Sequence, residues 1–276
     1  MKTQSRFNLS GKIALITGGG GLLGPEHGIG LVRYGATIVL IDIDQDGLRV
    51  AKKRVLSQVP EAFVKTYIVD ITMKEALYAL RERLHAVGYI VDILVNNAAL
   101  NPKMDSFKDA VTGTVENYDM DLWERELKVG ITGTFLCCKI FGSQMAERGS
   151  GTIVNIASDL AIQVPDQRVY ASTGKIEDVR HFKPASYPVV KSAMLGLNRY
   201  LATYWAHRGV RVNCLIPGAV LYNQSDSLVD QISTRVPLQR LAEKTEYQEA
   251  VAFLASDASS YMTGQEIVMD GGRSIW

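Results

Sequence analysis

The chain has 276 residues and sets 30 Lys and Arg against 29 Asp and Glu, a formal net charge of +1. That balance excludes a general electrostatic pull toward nucleic acid or an acidic membrane surface, and 47% hydrophobic with 21% charged residues excludes disorder. Three cysteines, two of them adjacent (Cys137, Cys138) and one distant (Cys214), cannot build a disulfide framework and fit reduced thiols in a cytoplasmic protein. The first ten residues lack the apolar core of a signal peptide, and apolar runs such as Ile38–Ile41 stop far short of the ~20 residues that span a bilayer.

Short apolar runs alternate with segments of helical period. Lys12–Thr17 reads as a strand ending in glycines, and Leu23–Tyr34 as a helix that tolerates Pro25 in its first turn. Thr37–Asp42 is a second strand, Gln45–Gln58 a polar-faced helix, and Phe63–Val69 a third strand running into Asp70. Met73–Val87 is a helix, and Val91–Val95 a fourth strand leading to Asn96 and Asn97. A long helix over Asp121–Glu147 precedes a fifth strand, Thr152–Ile156. The helix Tyr187–His207, the strand Val210–Leu215, the helix Thr245–Ala255 and the strand Glu266–Met269 complete the series. Strands that are apolar throughout are buried on both faces. The alternation predicts an α/β fold: a Rossmann-type, doubly wound parallel sheet flanked by helices, in a single domain over 1–276. The extra length sits in two loops, about Asn101–Tyr118 and Tyr170–Ser186. Both follow the C-terminal ends of strands, where open α/β sheets bind ligands.

The first strand runs into Thr17-Gly-Gly-Gly-Gly-Leu-Leu-Gly24. A glycine-rich turn between strand and helix lets backbone N–H groups approach a pyrophosphate at the positive end of the helix. Asp42 ends the second strand 24 residues after Gly18. An acid there accepts hydrogen bonds from an adenine ribose and repels a 2′-phosphate. No Lys or Arg lies between Thr17 and Val32 to receive such a phosphate, so NAD is favoured over NADP.

With these residues in place the sequence resembles the short-chain dehydrogenase/reductase family over nearly its whole length. The pattern T-G-x-x-x-G-x-G appears as Thr17, Gly18 and Gly24, with Leu22 replacing the middle glycine; N-N-A-G appears as Asn96-Asn97-Ala98-Ala99. The departure at Leu22 suggests a shifted turn that uses Gly20 or Gly21 for the close approach. The resemblance implies cofactor contacts at Gly18, Gly20, Gly21, Leu22, Leu23, Asp42, Asp70, Ile71, Asn97, Ala98, Ala99, Pro217, Gly218 and Val220, besides Tyr187 and Lys191. It divides the chain into residues 1–100, mainly for the dinucleotide, and 101–276, for catalysis and substrate, with an insertion at 171–186.

Tyr187-Pro-Val-Val-Lys191 matches the family's Y-x-x-x-K. Residues i and i+4 share one helix face, so phenol and ammonium enter the same cleft. Pro188 cannot sit in a helix interior, which puts Tyr187 at the helix start. A free phenol has a pKa near ~10, and a base working near pH 7 needs a shift worth roughly 4 kcal/mol. Lys191, and a positive nicotinamide in the oxidising direction, would favour the phenolate. By resemblance Ser158 orients and polarises the substrate oxygen. Tyr170 lies 12 residues after Ser158, the usual family distance, but its lysine, Lys175, is at i+5 and faces away, so it is set aside in favour of Tyr187. The family's relay asparagine aligns with Gly130, which permits a helix bend but offers no amide; a backbone carbonyl and a water are expected to complete the relay.

Further segments are similar to a branch found with flagellin-modification and surface amino-sugar genes: Ser158-Asp-Leu, Pro165-Asp-Gln-Arg168, Tyr200-Leu-Ala-Thr-Tyr-Trp205 and Asp270-Gly-Gly-Arg-Ser-Ile-Trp276. That implies a sugar, phosphorylated or nucleotide-linked, as substrate. Arg168, Lys175, Arg180, His181 and Lys183 outnumber Glu177 and Asp178 in a stretch at the expected mouth of the site, where they could hold phosphate or form a solvated rim. Glu26 and His27 read as a dipole-stabilised helix start. The helix Tyr187–His207 is apolar on most sides, more than a sheet can cover, which points to a partner subunit, and the family resemblance implies that the assembly is a homodimer or homotetramer. The expectation is an NAD-dependent oxidoreductase of CH–OH groups on a sugar or amino-sugar. The alternatives are a reductase of another carbonyl (a 3-oxoacyl thioester or a polyol) and a non-catalytic NAD-binding assembly subunit.

Overall fold

The computed structural model describes residues 6–100, 113–171, 176, 179 and 182–276. Seven strands form one parallel sheet: β1 (Ile13–Thr17), β2 (Thr37–Asp42), β3 (Val64–Ile68), β4 (Ile93–Asn96), β5 (Gly151–Ile156), β6 (Val210–Pro217) and β7 (Glu266–Met269). Their order across the sheet is β3-β2-β1-β4-β5-β6-β7, and every pairing is parallel. The doubly wound single-domain α/β fold expected from the sequence is the fold observed.

Period-two alternation splits each apolar strand between two cores. Ala14, Ile16, Ile38 and Leu40 point to one face, where Ile29 and Leu31 of α1 (Gly24–Val32), Leu48 and Val55 of α2 (Gln45–Gln58) and Val251 and Leu254 of α9 (Gln248–Ala255) cover them. Leu15, Val39 and Ile41 point to the other. There they meet Leu77 and Leu80 of α3 (Lys74–His85), Phe141 and Met145 from the long helical segment, and Trp205 of α7 (Ser186–Trp205).

That long segment starts at Met120 and runs to Arg148, but not as one regular helix. It consists of α4 (Met120–Leu127), a π-helical stretch Lys128–Gly133, α5 (Thr134–Cys137), a second π-helical stretch Cys138–Gly142 and α6 (Ser143–Arg148). The bend expected at Gly130 thus takes the form of widened turns. One short helix, α8 (Asp226–Ser233), was not foreseen. Cys137, Cys138 and Cys214 are free and buried, and no described helix is long and apolar enough to cross a membrane.

The chain reverses its winding between β1 and β4. Such a switch point opens a crevice at the strand C-termini. The glycine turn after β1 and Asn97–Ala99 after β4 therefore lie side by side.

Candidate active site

The dinucleotide end is built from backbone. Gly18 adopts φ +62°, a conformation natural to glycine, and a Cβ there would lie 2.8 Å from Ala98 Cα. The turn is pinned to β4 by Asn97, whose Nδ2 donates to the carbonyls of Thr17 and Gly18, both at 3.0 Å. The Thr17 hydroxyl accepts from the N–H groups of Asn97 and Ala98. Gly20 packs against the start of α2: its N–H donates to Asp42 Oδ2 at 3.0 Å, and a Cβ would press on the backbone of Gly47 and Leu48 at 2.9 Å. Gly21 is exposed, with only the Gly18 carbonyl near its missing side chain. Of the two glycines expected to allow a close approach, Gly21 is the open one. Leu22 and Leu23 follow, half-buried, and α1 begins without a side-chain cap, leaving N–H donors for an anion.

Asp42 ends β2 with both oxygens accepting, Oδ2 from Gly20 and Oδ1 from Asp44. Asp44 caps α2 through Asp46, and Arg49 is occupied by Asp46, so the surroundings of Asp42 are acidic. Asp70 is exposed and its Oδ1 accepts from Thr72 at 2.8 Å; Ile71 is buried against Gly133. Gly218 packs on Asp270 and its N–H donates to the Met269 carbonyl, while Val220 bridges to Ala242. The residues fit a dinucleotide: an open glycine, an uncapped helix and a strand-end acid converge on one crevice.

Glu26 and His27 stand in the first turn of α1, at the helix start expected of them. Both are fully buried. Glu26 accepts from Arg54 Nε (3.0 Å) and Nη2 (3.3 Å) and from Gln248 Nε2 (2.6 Å), with Lys244 Nζ at 3.5 Å. It joins α1 to α2 and to the segment leading into α9. Burial works to raise its pKa, but these partners win and hold it below the usual value. Burial drives His27 down to about 4, and neither ring nitrogen has a hydrogen-bond partner among the described residues.

The catalytic candidates gather where β5 ends and α7 starts. Pro188 sits in the first turn of α7, as its chemistry requires. Tyr187 and Lys191 lie one turn apart. Lys191 is 3% exposed, and its Nζ donates to the Ile156 carbonyl at 2.7 Å, 5.8 Å from the Tyr187 ring centroid. Burial pushes Tyr187 up to about 12, with the Ser158 hydroxyl pulling the other way, and burial draws Lys191 down to about 8. The expected lowering of the phenol is not achieved by the chain's own groups, because desolvation, helped by the neighbouring Asp159 and Tyr170, outweighs the Ser158 hydroxyl.

Ser158 is 7% exposed, and its hydroxyl donates to Asp159 Oδ1 at 2.8 Å. A carboxylate can only accept, so the serine hydrogen is committed in this state, and the serine oxygen itself accepts from the Leu160 N–H at 3.2 Å. Asp159, itself 3% exposed, also accepts from Leu160 N–H and is ion-paired with Arg273 from the C-terminal tail. That tail contact, 114 residues away in sequence, carried no signal in the sequence. Below the site, buried amides cross the sheet: Asn96 donates to Asn155 (2.9 Å) and Asn155 to Asn198 (3.2 Å).

Tyr170 closes a short 3-10 turn, Gln167–Tyr170, and its hydroxyl is pushed up to about 12 by burial. It occupies no i+4 relation with a lysine. Arg168, expected on a basic rim, is exposed but bound to Asp166 at 2.8 and 2.9 Å. Lys175, Glu177, Asp178, Arg180 and His181 lie outside the described residues. Lys183 is half-buried and turned toward Tyr187, with Nζ 4.1 Å from its ring centroid.

A family model described as Enoyl-(Acyl carrier protein) reductase matches residues 26–274. Galactitol 2-dehydrogenase (L-tagatose-forming) of Cereibacter sphaeroides is 32% identical over 282 residues, covering all of both chains. D-threitol dehydrogenase of Mycolicibacterium smegmatis is 29% identical, covering 98% of this chain and 95% of its own. Among solved structures, a gluconate 5-dehydrogenase from Burkholderia cenocepacia in complex with NADP and tartrate superposes with a TM-score of 0.83 at 26% identity, covering 98% of each chain. With the sheet order, the glycine turn and the Tyr187–Lys191 turn already pointing the same way, the chain belongs to the short-chain dehydrogenase/reductase family.

Proposed function

We propose that this protein interconverts a secondary alcohol and a ketone on a sugar-like polyol, with NAD(H) as cofactor. The observation that carries the reading is the α7 turn holding Tyr187 and Lys191 beside Ser158, at the C-terminal end of the sheet, which also bears the glycine turn. In the oxidising direction Tyr187 accepts the alcohol proton as general base; in the reducing direction it donates it back. Lys191, whose Nζ donates to the Ile156 carbonyl, is assigned to favour the phenolate and to hold the nicotinamide ribose. Ser158 orients the reacting oxygen by turning its hydroxyl from Asp159 Oδ1 to donate to that oxygen, whose one hydrogen in the alcohol goes to Tyr187. The bound dinucleotide supplies the hydride acceptor and a positive ring that favours the phenolate. The widened turn at Lys128–Gly133 is read as the source of the backbone carbonyl that serves proton exchange in place of an asparagine amide.

NAD over NADP rests on Asp42 and its acidic neighbours Asp44 and Asp46, which repel a 2′-phosphate. The relatives are named for both cofactors, NADP in the gluconate 5-dehydrogenase complex and NAD+ in a bound xylitol dehydrogenase, so the preference is this chain's own. The polyol reading draws on relatives named for galactitol, threitol and gluconate. The narrower likeness to flagellin-modification enzymes, with a phosphorylated or nucleotide-linked amino sugar, loses support here because Arg168 is spent on Asp166. Val189, Tyr200 and Tyr204 leave one face of α7 exposed, and the two tyrosines stack at 5.8 Å; this face is assigned to a homodimer or homotetramer in the cytoplasm. Incubation with NAD and a panel of polyols, sugar acids and sugar phosphates, followed by NADH absorbance, tests the activity. Tyr187→Phe should lose turnover by about a thousandfold and keep dinucleotide binding; retained turnover would return the non-catalytic reading.

A further inference from the structure

A second lysine stands beside the Tyr187–Lys191 pair. Lys183 precedes α7 by three residues, and its Nζ is closer to the Tyr187 ring centroid than that of Lys191, 4.1 Å against 5.8 Å. Its place is constructed. The Gln167 side chain grips the Lys183 backbone twice: Lys183 N–H donates to Gln167 Oε1 at 2.8 Å, and Gln167 Nε2 donates to the Lys183 carbonyl at 3.1 Å. On the other side stands Glu126 of α4, 3% exposed. Its Oε2 accepts from the Tyr118 hydroxyl at 3.0 Å, and that hydroxyl also meets Ser186 Oγ at 2.9 Å. Glu126 Oε1 is buried with no hydrogen-bond partner among the described residues. Burial lowers Lys183 to about 8, while the charges of Glu126 and Asp159 sustain its ammonium.

We propose that Lys183 is a positioning residue for the reaction: a second ammonium, seated by Gln167 and balanced by Glu126, that stabilises the Tyr187 phenolate together with Lys191. The inference rests on Tyr187 being the acid/base of the proposed function. A cation over an aromatic face is attracted weakly by a neutral ring and far more by a phenolate, whose full charge it meets at short range. Glu126 stands four residues before Gly130 on the long helical segment. The charged and titratable groups facing Tyr187 among the described residues are Lys191 on its own helix, Lys183 before it, Asp159 with Arg273 beyond β5, Tyr170 from the 3-10 turn, and Glu126 with Tyr118 behind Lys183.

The test is a pH titration of the NAD complex by tyrosinate absorbance, with Tyr187→Phe identifying the signal, run beside the pH profile of kcat/KM for alcohol oxidation. Lys183→Met should move the Tyr187 titration and the acid limb of the profile to higher pH by about one unit, which is about tenfold in rate at neutral pH. Lys183→Arg should restore most of it. Glu126→Gln, which removes the opposing charge, should move both to lower pH. An unmoved titration in Lys183→Met, or shifts in the same direction for Lys183→Met and Glu126→Gln, would overturn the inference. If the Tyr187 signal is present and Tyr187→Phe stays active, it is the functional reading that fails.

Discussion

Gly130 offers a sharp test of how the long helix packs on α7. A Cβ added there would lie 2.3 Å from Val190 Cγ1 and 3.4 Å from Val190 Cβ. Val190 is 4% exposed, and a β-branched side chain inside a helix has one strongly preferred rotamer, so it cannot swing clear cheaply. Gly130→Ala therefore sets two effects against each other. Helix propensity favours alanine by about 1 kcal/mol. Overpacking costs about 1–3 kcal/mol, and an off-rotamer valine about 0.5–1.5 kcal/mol. The contact wins, and the net expectation is a loss of about 1–2 kcal/mol, on the order of 2–6 °C in Tm. Urea unfolding followed by circular dichroism measures it. Val190→Ala in the same chain should absorb the intrusion, giving a favourable coupling of about 1 kcal/mol or more in a double-mutant cycle. Val190 lies between Tyr187 and Lys191, so the single variant should also lower kcat more than it raises KM. A Gly130→Ala protein more stable than the parent, or strict additivity with Val190→Ala, would refute the packing described.

Three further outcomes are expected. His27 is held near 4 in the fold against about 6.5 unfolded, so its contribution is present above pH ~6.5 and lost on the way down to 4, up to about 3 kcal/mol; His27→Leu should remove that part of the pH–stability slope in denaturant titrations. Glu26, held low, contributes above its unfolded value and loses that contribution at more acid pH than His27, so Glu26→Gln should flatten only the lower limb of the same curve. Asp42→Ser should raise the KM for NAD by about tenfold and bring NADP within measurable use, since it removes a charge that repels the 2′-phosphate; unchanged cofactor preference in steady-state kinetics would remove Asp42 from that role. Each outcome is independent of the identity of the substrate.

The parts of this molecule legible in the sequence are those written in short-range periods. Doubly buried strands read as unbroken apolar runs, and the Tyr187–Lys191 spacing announces its own helix face. α8 was missed because Asp226-Ser-Leu-Val-Asp-Gln-Ile-Ser233 is short and mostly polar, too brief for a period to stand out. The two π-helical stretches were hidden for a different reason: a hydrogen-bond slip along a helix changes no residue type, and only the glycines at 130, 133 and 142 hint at close packing. The rest needed the third dimension. Glu26 finds Gln248 at a separation of 222 residues and Asp159 finds Arg273 at 114, and no spacing rule links such pairs. Lys183 looked like one more charge on a basic rim; the Gln167 clamp, 16 residues upstream, is what turns it inward.

The strand order carries a consequence for how the chain comes into being. β1 lies between β2 and β4, so the β3-β2-β1-β4 part of the sheet can assemble once Asn96 has been made. β4 must then wait for β5, beginning at Gly151, with its outer backbone edge unsatisfied. At about 5–20 residues per second, that interval lasts roughly 3–11 s on the ribosome. A nascent apolar edge exposed for seconds invites mispairing between neighbouring chains, so slower, cooler synthesis or chaperone supply should govern the yield of this protein more than the stability of its finished fold.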